Sequence, residues 1–421
     1  MKVSKARIGI MGGTFNPIHE GHIHIARAAM RAAKLDQVLF LPDGQPPHKT
    51  GIAPAEDRWR MVCAAVAGEE GLVPNRMELD RTGTTYTFDT LTELQKAYPR
   101  AQLFYIIGTD TLLELKNWHR YEEVLKLCAF LVCPRSTKAS PEEVLAERRR
   151  LTELGASLVS VDTEVVDISS TAIREAILSS SPTDLLSPVV QEYISLCGLY
   201  GGQPIDPRIQ EWMTRLFADL NLKRFAHSIG VAYTARSLAR NHGVDQVKAE
   251  VAALLHDCAK CMPLREMQQL ALSKELVSDP ELLSSNALLH APVGAYIAET
   301  VYGLTDPEQL SAIANHTTGK PGMSKLDLIV YLADKIEPTR KDYPLLNKIR
   351  MMAPLSLERA AVMSMEGTES YVTKGGKPLH TQTRDTIQWL KQQLSPRAAS
   401  NQKEELNGTS GTGQTDGTDA L

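Results

Sequence analysis

The chain has 421 residues, with 46 Lys+Arg against 50 Asp+Glu and a formal net charge of -4. That length implies two or three domains. Hydrophobic residues at 43%, charged residues at 23% and aromatics at 5% exclude a disordered chain, collagen, a pure coiled coil, a polybasic membrane anchor and a stacking platform for nucleic acid.

Residues 6–200 alternate short apolar runs with amphipathic stretches. The runs are Arg7–Met11, Gln37–Leu41, Gln102–Ile107, Cys128–Cys133 and Ser157–Val161. Between them, Gly21–Lys34, Glu56–Ala67, Phe88–Ala97 and Pro141–Leu154 carry helical periodicity. This alternation predicts an α/β doubly wound parallel sheet with helices on both faces. Gly201-Gly202-Gln203-Pro204 reads as the start of a linker over 201–206. Beyond it, Ile209–Leu220, Phe225–Asn241, Gln246–His256 and Met323–Ile336 predict an all-helical second domain over 207–395. From residue 396 large apolar residues almost vanish, so a disordered tail is expected over 396–421.

No apolar run approaches the roughly 20 residues of a membrane span. The opening segment MKVSKARIGIMGG has no signal-peptide shape, and a cytoplasmic location is expected. Cys63, Cys128, Cys133, Cys197, Cys258 and Cys261 read as reduced thiols. The single Cys258-x-x-Cys261 pair is too isolated to argue for zinc or redox chemistry.

Gly12-Gly13-Thr14-Phe15-Asn16-Pro17-Ile18-His19-Glu20-Gly21-His22 directly follows the first strand. Two glycines let the backbone turn and approach a ligand closely. The next helix offers free N–H groups that favour phosphate. His19 and His22, three apart, can point at one anion and stabilise an in-line phosphoryl transition state. The spacing matches neither G-x-x-x-x-G-K-[ST] nor G-x-G-x-x-G. On spacing alone, a glycine turn with two surface histidines stays open. Ile168-Ser169-Ser170-Thr171-Ala172-Ile173-Arg174 opens a later helix. It reads as an N-cap, and also as a second phosphate site of hydroxyls and one guanidinium. In a doubly wound sheet both anion sites lie at the carboxyl edge, where ligands bind.

The second domain contains His227, His242, His256-Asp257, His290, His316 and Asp334. A His-Asp doublet in the apolar helix Val251–Asp257 is costly if buried alone, and a metal removes that cost. Mixed imidazole and carboxylate donors suit first-row metals such as Fe, Mn, Co or Zn.

Residues 6–200 resemble the nucleotidyltransferase family marked by a strand, H-x-G-H and a late I-S-S-T-x-I-R. Within it they are most similar to bacterial nicotinate-nucleotide adenylyltransferases. The motifs are Gly12–His22, Pro46-Pro47-His48-Lys49, Thr84-Thr85-Tyr86-Thr87, Ile107-Gly108-Thr109-Asp110, Asn117-Trp118-His119-Arg120 and Ile168–Arg174. Asn16 departs from the Asp of many members. The resemblance implies transfer of AMP from ATP, with Mg²⁺, to nicotinate mononucleotide, without a covalent intermediate. His19 and His22 would hold the α-phosphate region. His48, Lys49 and Arg174 would neutralise the phosphate tail. Gly12, Gly13, Thr14, Phe15, Gly108, Asp110, Arg135, Ser169, Ser170 and Thr171 would meet the nucleotide. Thr85 and Trp118 would form the pyridine pocket, although Trp118 also reads as an ordinary buried aromatic.

Residues 207–395 resemble the HD metallophosphohydrolase superfamily, and within it the symmetrical diadenosine tetraphosphatases. Lys223–Val231, His256–Lys260, His316–Gly319 and Ala333–Pro338 carry that likeness. It implies hydrolysis of diadenosine tetraphosphate to two ADP at two transition-metal ions, iron being expected. The ligands would be His227, His256, Asp257, His290, His316 and Asp334, with Asp257 bridging. Lys260 and Arg340 would contact phosphates, or are solvated surface charges. His242 lies outside the motif and reads as a surface or helix-end residue. Rival readings are a phosphopantetheine-type acceptor for the first domain and a dNTP, alarmone or cyclic nucleotide for the second. One half could also be a regulatory module. The expected partners are small nucleotides, with no nucleic acid and no membrane; homo-oligomerisation is left open.

Overall fold

The computed structural model describes residues 5–44, 51–165, 168–179, 184–376 and 378–395. The chain divides into two compact units, Met1–His227 and Ser228–Leu421. The proposed loop residues His48 and Lys49 and the expected tail 396–421 lie outside the described residues.

The first unit runs β1 (Arg7–Gly13), α1 (Glu20–Ala33), β2 (Gln37–Pro42), α2 (Ala55–Val66), β3 (Leu72–Pro74), α3 (Thr87–Ala97) and β4 (Gln102–Gly108). Then come α4 (Thr109–Glu114), α5 (Tyr121–Leu127), β5 (Ala129–Cys133), α6 (Pro141–Glu153) and β6 (Ser157–Ser160). Helices α7 (Ser170–Leu178), α8 (Pro188–Cys197) and α9 (Ile209–Asp219) follow the last strand. Each expected strand and helix is present, within two or three residues at its ends. Sequence reading missed the three-residue β3, which is too short to show a period, and the helices α4, α5 and α8.

All pairings are parallel, in the order β3-β2-β1-β4-β5-β6. The chain winds outward from β1 through β2 to β3, then returns to place β4 on the other side of β1. Strand order therefore reverses between β1 and β4, and a crevice opens beyond their carboxyl ends. Both faces of the sheet are covered: Ile8, Ile10, Leu39, Tyr105 and Phe130 share one core cluster, while Met11, Phe40 and Phe104 are buried too. That is why these strands read as continuous apolar runs. Near the end of β1, a Cβ added at Gly12 would collide with the hydroxyl of the buried Tyr105.

One buried side chain organises the crevice. Arg58, on α2, is 1% exposed. Its Nη1 donates to Thr14 O at 2.8 Å, Asp43 O at 2.8 Å and Asp43 Oδ1 at 3.1 Å. Its Nη2 donates to Gly44 O at 2.8 Å and its Nε to Ala53 O at 3.2 Å. Thr14 Oγ1 in turn donates to Asp43 Oδ2 at 3.0 Å. The turns after β1 and β2 are thus joined to the start of α2. Nearby, Tyr193 on α8 donates to Asp57 Oδ1 at 2.7 Å, and Arg60 Nη2 donates to Thr214 on α9 at 2.8 Å.

The second unit begins within α10 (Leu222–His242) and continues α11 (Gln246–Leu255), α12 (Leu264–Ser273), α13 (Pro280–Ser284) and α14 (Asn286–Thr300). The rest is α15 (Pro307–Asn315), α16 (Lys325–Ile336), α17 (Leu346–Met352), α18 (Leu357–Lys374) and α19 (Thr381–Gln393). It holds helices and no strand among the described residues, as expected. Helix α16 is buried on nearly every side, and Ala259, Met267, Ala271, Leu289 and Val293 form a satellite core. His242 closes α10, with its Nε2 2.7 Å from Ala353 O, which is the helix-end role read from sequence. No helix among the described residues is long and apolar enough to cross a membrane.

Replacing Arg58 by Leu should destabilise the first unit by roughly 3 to 5 kcal/mol, because four carbonyls and the Asp43 carboxylate lose their buried partner. Arg58→Lys keeps the charge but not the fork, and should fall between the two. Urea unfolding of both variants checks this; a loss under about 1 kcal/mol for Arg58→Leu would remove the guanidinium from its organising role.

Candidate active sites

In the first unit, β1 ends at Gly13 and the chain turns into α1 with His19 as N-cap. His19 is 7% exposed, and its ring stacks on the half-buried His22 at 3.8 Å between centroids. The His19 backbone N–H donates to His22 Nδ1 at 3.2 Å. That bond makes Nδ1 an acceptor, so a neutral His22 carries its proton on Nε2. His19 Nδ1 is buried with no hydrogen-bond partner among the described residues. Burial, and then the nearby Arg135, lower His19 to about 4. Burial, the adjacent His19 and Arg135 hold His22 well below its ordinary value. Both imidazoles are neutral donors at pH 7, suited to meeting charge that develops during reaction rather than to carrying it beforehand.

Helix α7 docks on the same turn. Ser169 is its N-cap and accepts from Ala172 N at 3.1 Å. Ser170 Oγ donates to Pro17 O at 3.0 Å. Arg174 Nη1 donates to Asn16 O at 2.8 Å and its Nη2 to Thr171 Oγ1 at 3.2 Å. A cleft of about 450 Å³ lies between these elements, lined by Thr14, Phe15, His22, Arg135, Thr171 and Arg174 among others. His22, the hydroxyl turn and Arg174, 150 residues apart in the chain, therefore meet in one place. Gly108 and Asp110 end β4 and open α4, and the Asp110 carboxylate lies 3.7 Å from Arg135.

The loop before α3 meets the turn before α5. Tyr86 stacks on His119 at 4.4 Å, and the Arg120 guanidinium lies 3.5 Å above the Phe88 ring. Thr85 Oγ1 is buried without a hydrogen-bond partner among the described residues. Trp118 is half-buried, edge-on to Tyr105 at 5.6 Å, and packs against the sheet core. Tyr86 caps α3 without a side-chain hydrogen bond, and its main-chain oxygen accepts from Asp89 N at 3.0 Å and Thr90 N at 3.2 Å.

In the second unit, Asp257, His290 and His316 offer donor atoms all within 4.8 Å of one another. His290 Nε2 lies 3.1 Å from Asp257 Oδ1, and His316 Nε2 lies 3.0 Å from His290 Nε2. His256 Nε2 lies 3.6 Å from Asp257 Oδ2 and 3.8 Å from Asp334 Oδ1. The aim of each ring has a local cause. His256 Nδ1 sits 2.6 Å from Ala253 O, His316 Nδ1 2.7 Å from Ile313 O, and His290 Nδ1 3.1 Å from Asn286 O. A ring nitrogen beside a carbonyl must donate, so the three Nε2 lone pairs are presented toward Asp257. Burial pushes Asp257 up, but His256, the close contacts with His290 and His316, and Lys260 outweigh it and hold the carboxylate well below its ordinary value. Burial lowers His290, and lowers His316 to about 3.

An ionised carboxylate beside the neutral imidazoles of His290 and His316, all at 0–1% exposure, is the donor chemistry of a divalent metal centre. Three cations already lean on it. Lys260 Nζ lies 3.1 Å from His290 Nε2, Lys335 Nζ 2.6 Å from Asp334 Oδ2, and Arg340 Nη2 2.5 Å from Asp334 Oδ1. His227, the other expected ligand, is buried on α10. Cys258 donates to Gly294 O at 3.3 Å and Cys261 is exposed, so the C-x-x-C pair stands outside the cluster.

Sequence reading missed Arg58, Asp43 and Tyr105. The available signal was a charged run, Glu56-Asp57-Arg58, opening a helix whose later residues are mostly apolar and buried.

Two family models match: the cytidylyltransferase-like family over residues 10–176 and the HD domain over 224–339. A probable nicotinate-nucleotide adenylyltransferase/Ap4A hydrolase of Mycoplasma genitalium is 30% identical over 339 residues, 80% of this chain and 89% of the relative. A probable nicotinate-nucleotide adenylyltransferase of Gloeobacter violaceus is 42% identical over 200 residues, 46% of this chain and 96% of the relative. A solved structure from Clostridium acetobutylicum, described as a predicted HD superfamily hydrolase involved in NAD metabolism, shares 35% identity. It covers 44% of this chain and 97% of its own, with a TM-score of 0.43.

The His19 ring should stay neutral until the pH falls to about 4. The unfolded chain takes up that proton near 6.5. The site therefore favours folding fully above 6.5, and loses its contribution as pH falls from 6.5 toward 4. NMR titration of the imidazole resonances tests this, and a His19 midpoint near 6.5 would contradict the burial that the geometry gives it.

Proposed function

Because this chain belongs to the nicotinate-nucleotide adenylyltransferase/Ap4A hydrolase family, we propose that it is a bifunctional enzyme of adenylyl transfer and dinucleotide hydrolysis. The first unit would transfer AMP from ATP to nicotinate mononucleotide, giving nicotinate adenine dinucleotide and pyrophosphate. The second would hydrolyse diadenosine tetraphosphate to two ADP. The observation that carries the reading is the meeting of His22, the Ser169–Thr171 turn and Arg174 around one cleft.

In the transfer, a phosphate oxygen of the mononucleotide attacks the α-phosphorus of ATP. The bond from that phosphorus to the bridging oxygen breaks, and pyrophosphate leaves with the electron pair. No group of the chain becomes covalently attached; its residues position and neutralise. The neutral His22 donates from Nε2 to the α-phosphate oxygens as their charge redistributes. His19, stacked on it, fixes that ring. Arg174, the hydroxyls of Ser170 and Thr171 and the first N–H groups of α7 meet the departing phosphates. His48 and Lys49 are assigned to the same phosphate tail. Gly12, Gly13, Gly108, Asp110 and Arg135 line the path of the nucleotide. Mg²⁺ enters with ATP. Trp118 stacks on the pyridine, while Thr85 and the first turn of α3 receive its carboxylate.

In the hydrolysis, His227, His256, Asp257, His290, His316 and Asp334 would hold two transition-metal ions, with Asp257 between them and iron the proposed metal. When bound, the pair supplies an activated water and a charge clamp for phosphate oxygens. Lys260 lies at the cluster and would take a phosphate oxygen of the substrate. Arg340, tied to Asp334, would orient that carboxylate and face the next phosphate. Both reactions draw on cytoplasmic nucleotide pools, and the six free cysteines fit that location.

The acceptor should be nicotinate mononucleotide and not its amide. The amide brings N–H donors to a place already furnished with donors and leaves them unpaired. Steady-state kinetics should show kcat/KM lower for the amide by about 100-fold or more. Equal values would rule out the carboxylate pocket.

His19→Ala should end adenylyl transfer while leaving tetraphosphate hydrolysis nearly unchanged. Asp257→Ala should do the reverse and strip the bound metal, since the ions lose the carboxylate that compensates their charge. Both activities and metal content, measured on each purified variant, decide the matter. Parallel loss of both activities in either variant would mean that the two reactions share a site.

A further inference from the structure

The short segment after α8 folds back on itself at 198–204. Gly198 leaves the helix at φ 62 and Gly201 follows at φ 93. An added Cβ at Gly198 would collide with the backbone of Gln203 and Pro204. Ile205 N donates to Leu196 O at 3.0 Å and closes the strap. Between these glycines, Tyr200 adopts φ 58 and ψ 40. That left-handed conformation is disfavoured for any residue with a Cβ, and it persists only where the surroundings impose it.

What the strap gains is the direction of the phenol. Tyr200 Oη donates to Asn16 Oδ1 at 3.0 Å. Burial pushes the phenol well above its ordinary value, so it stays a donor at any working pH. Asn16 is 5% exposed, and both its side-chain amide and its main-chain oxygen are engaged. Its Oδ1 also accepts from Ala53 N at 3.0 Å, and its Nδ2 donates to Gly51 O at 3.4 Å. Its main-chain oxygen accepts from Arg174 Nη1 at 2.8 Å. Asn16 and Arg174 both line the cleft. A continuous path of hydrogen bonds thus runs from the strap, through Asn16, to the guanidinium assigned to the phosphate tail.

We propose that Tyr200 is a positioning residue for the polyphosphate of the nucleotide, acting through Asn16 to fix Arg174 and the turn after β1. The proposal rests on the adenylyl-transfer reading of the cleft. A purely structural Tyr200 would fill space with its ring, and Phe would serve as well.

The test is Tyr200→Phe in the full chain. The KM for ATP should rise about 3- to 10-fold, the scale of one lost hydrogen bond. Inhibition by inorganic pyrophosphate should weaken by a similar factor. The KM for nicotinate mononucleotide, inhibition by adenosine and hydrolysis of diadenosine tetraphosphate should each stay within about twofold of the parent values, below the scale of that bond. If the two KM values rise together, or if pyrophosphate inhibition is unchanged, the proposal is overturned. A parent protein that fails to adenylylate the mononucleotide would instead overturn the reading beneath it, so the two failures are distinguishable.

Discussion

The crevice of the first unit depends on burying one guanidinium. Four backbone carbonyls around the carboxyl edge of the sheet, those of Thr14, Asp43, Gly44 and Ala53, lie in irregular turns and are paired by a side chain. Arg58 supplies the missing donors from α2, and Asp43 supplies the matching charge. An unpaired buried carbonyl is costly, and an unpaired buried guanidinium is costlier still. Each therefore holds the other in place, and the turn after β1 inherits one geometry. Three of the groups proposed to meet phosphate hang from that turn: His22 through the start of α1, and Ser170 and Arg174 through Pro17 and Asn16.

The helical unit solves the opposite problem. Its cluster is poor in hydrogen atoms and rich in lone pairs. Three histidines spend Nδ1 on the carbonyls of their own helices, and the resulting tautomers leave Nε2 facing Asp257. Burial keeps His290 and His316 neutral, which is the form a metal ligand needs. Lys260, Lys335 and Arg340 lean toward the two carboxylates, as cations do where negative charge has been drawn out of water.

How much of this was legible followed from how local each signal is. The strands and helices were readable because a sheet covered on both faces writes unbroken apolar runs. The Ser169 cap and the His19–His22 spacing were readable because caps and helix faces are short-range. Arg58 was not, since its partners lie 5 to 44 residues away and nothing at position 58 names them. Tyr200 was hidden for a related reason. Its neighbours are glycines, and a glycine-rich stretch reads as a connector whatever its one aromatic is doing. Trp118 was legible only through resemblance: a half-buried aromatic beside a core is ordinary, and only its company, Thr85 and the first turn of α3, suggests a ring-binding wall. The metal cluster was legible in kind, because a His-Asp doublet in an apolar helix demands a partner. Which ring nitrogens face inward depends on carbonyls three and four residues back.

The two sites meet the same ligand chemistry from opposite directions. The sheet unit offers protons directly: neutral imidazoles, hydroxyls, helix N–H groups and a guanidinium, fixed before the anion arrives. Such donors favour a change in where negative charge sits, which is what adenylyl transfer requires. The helical unit offers mainly lone pairs, so it would hold cations first and hold phosphate largely through them, with Lys260 and Arg340 beside. That arrangement adds what fixed donors lack, an activated water, and so suits hydrolysis. The difference follows from secondary structure. Irregular turns at a sheet edge leave N–H groups and arginine partners pointing outward. A helix hides its own N–H groups, and a histidine can place Nε2 in the core only by pairing Nδ1 with a carbonyl of its own helix. A polyphosphate entering the first unit therefore meets donors already in position, and one entering the second would meet Lys260 and Arg340 at once but its main charge clamp only with metal bound.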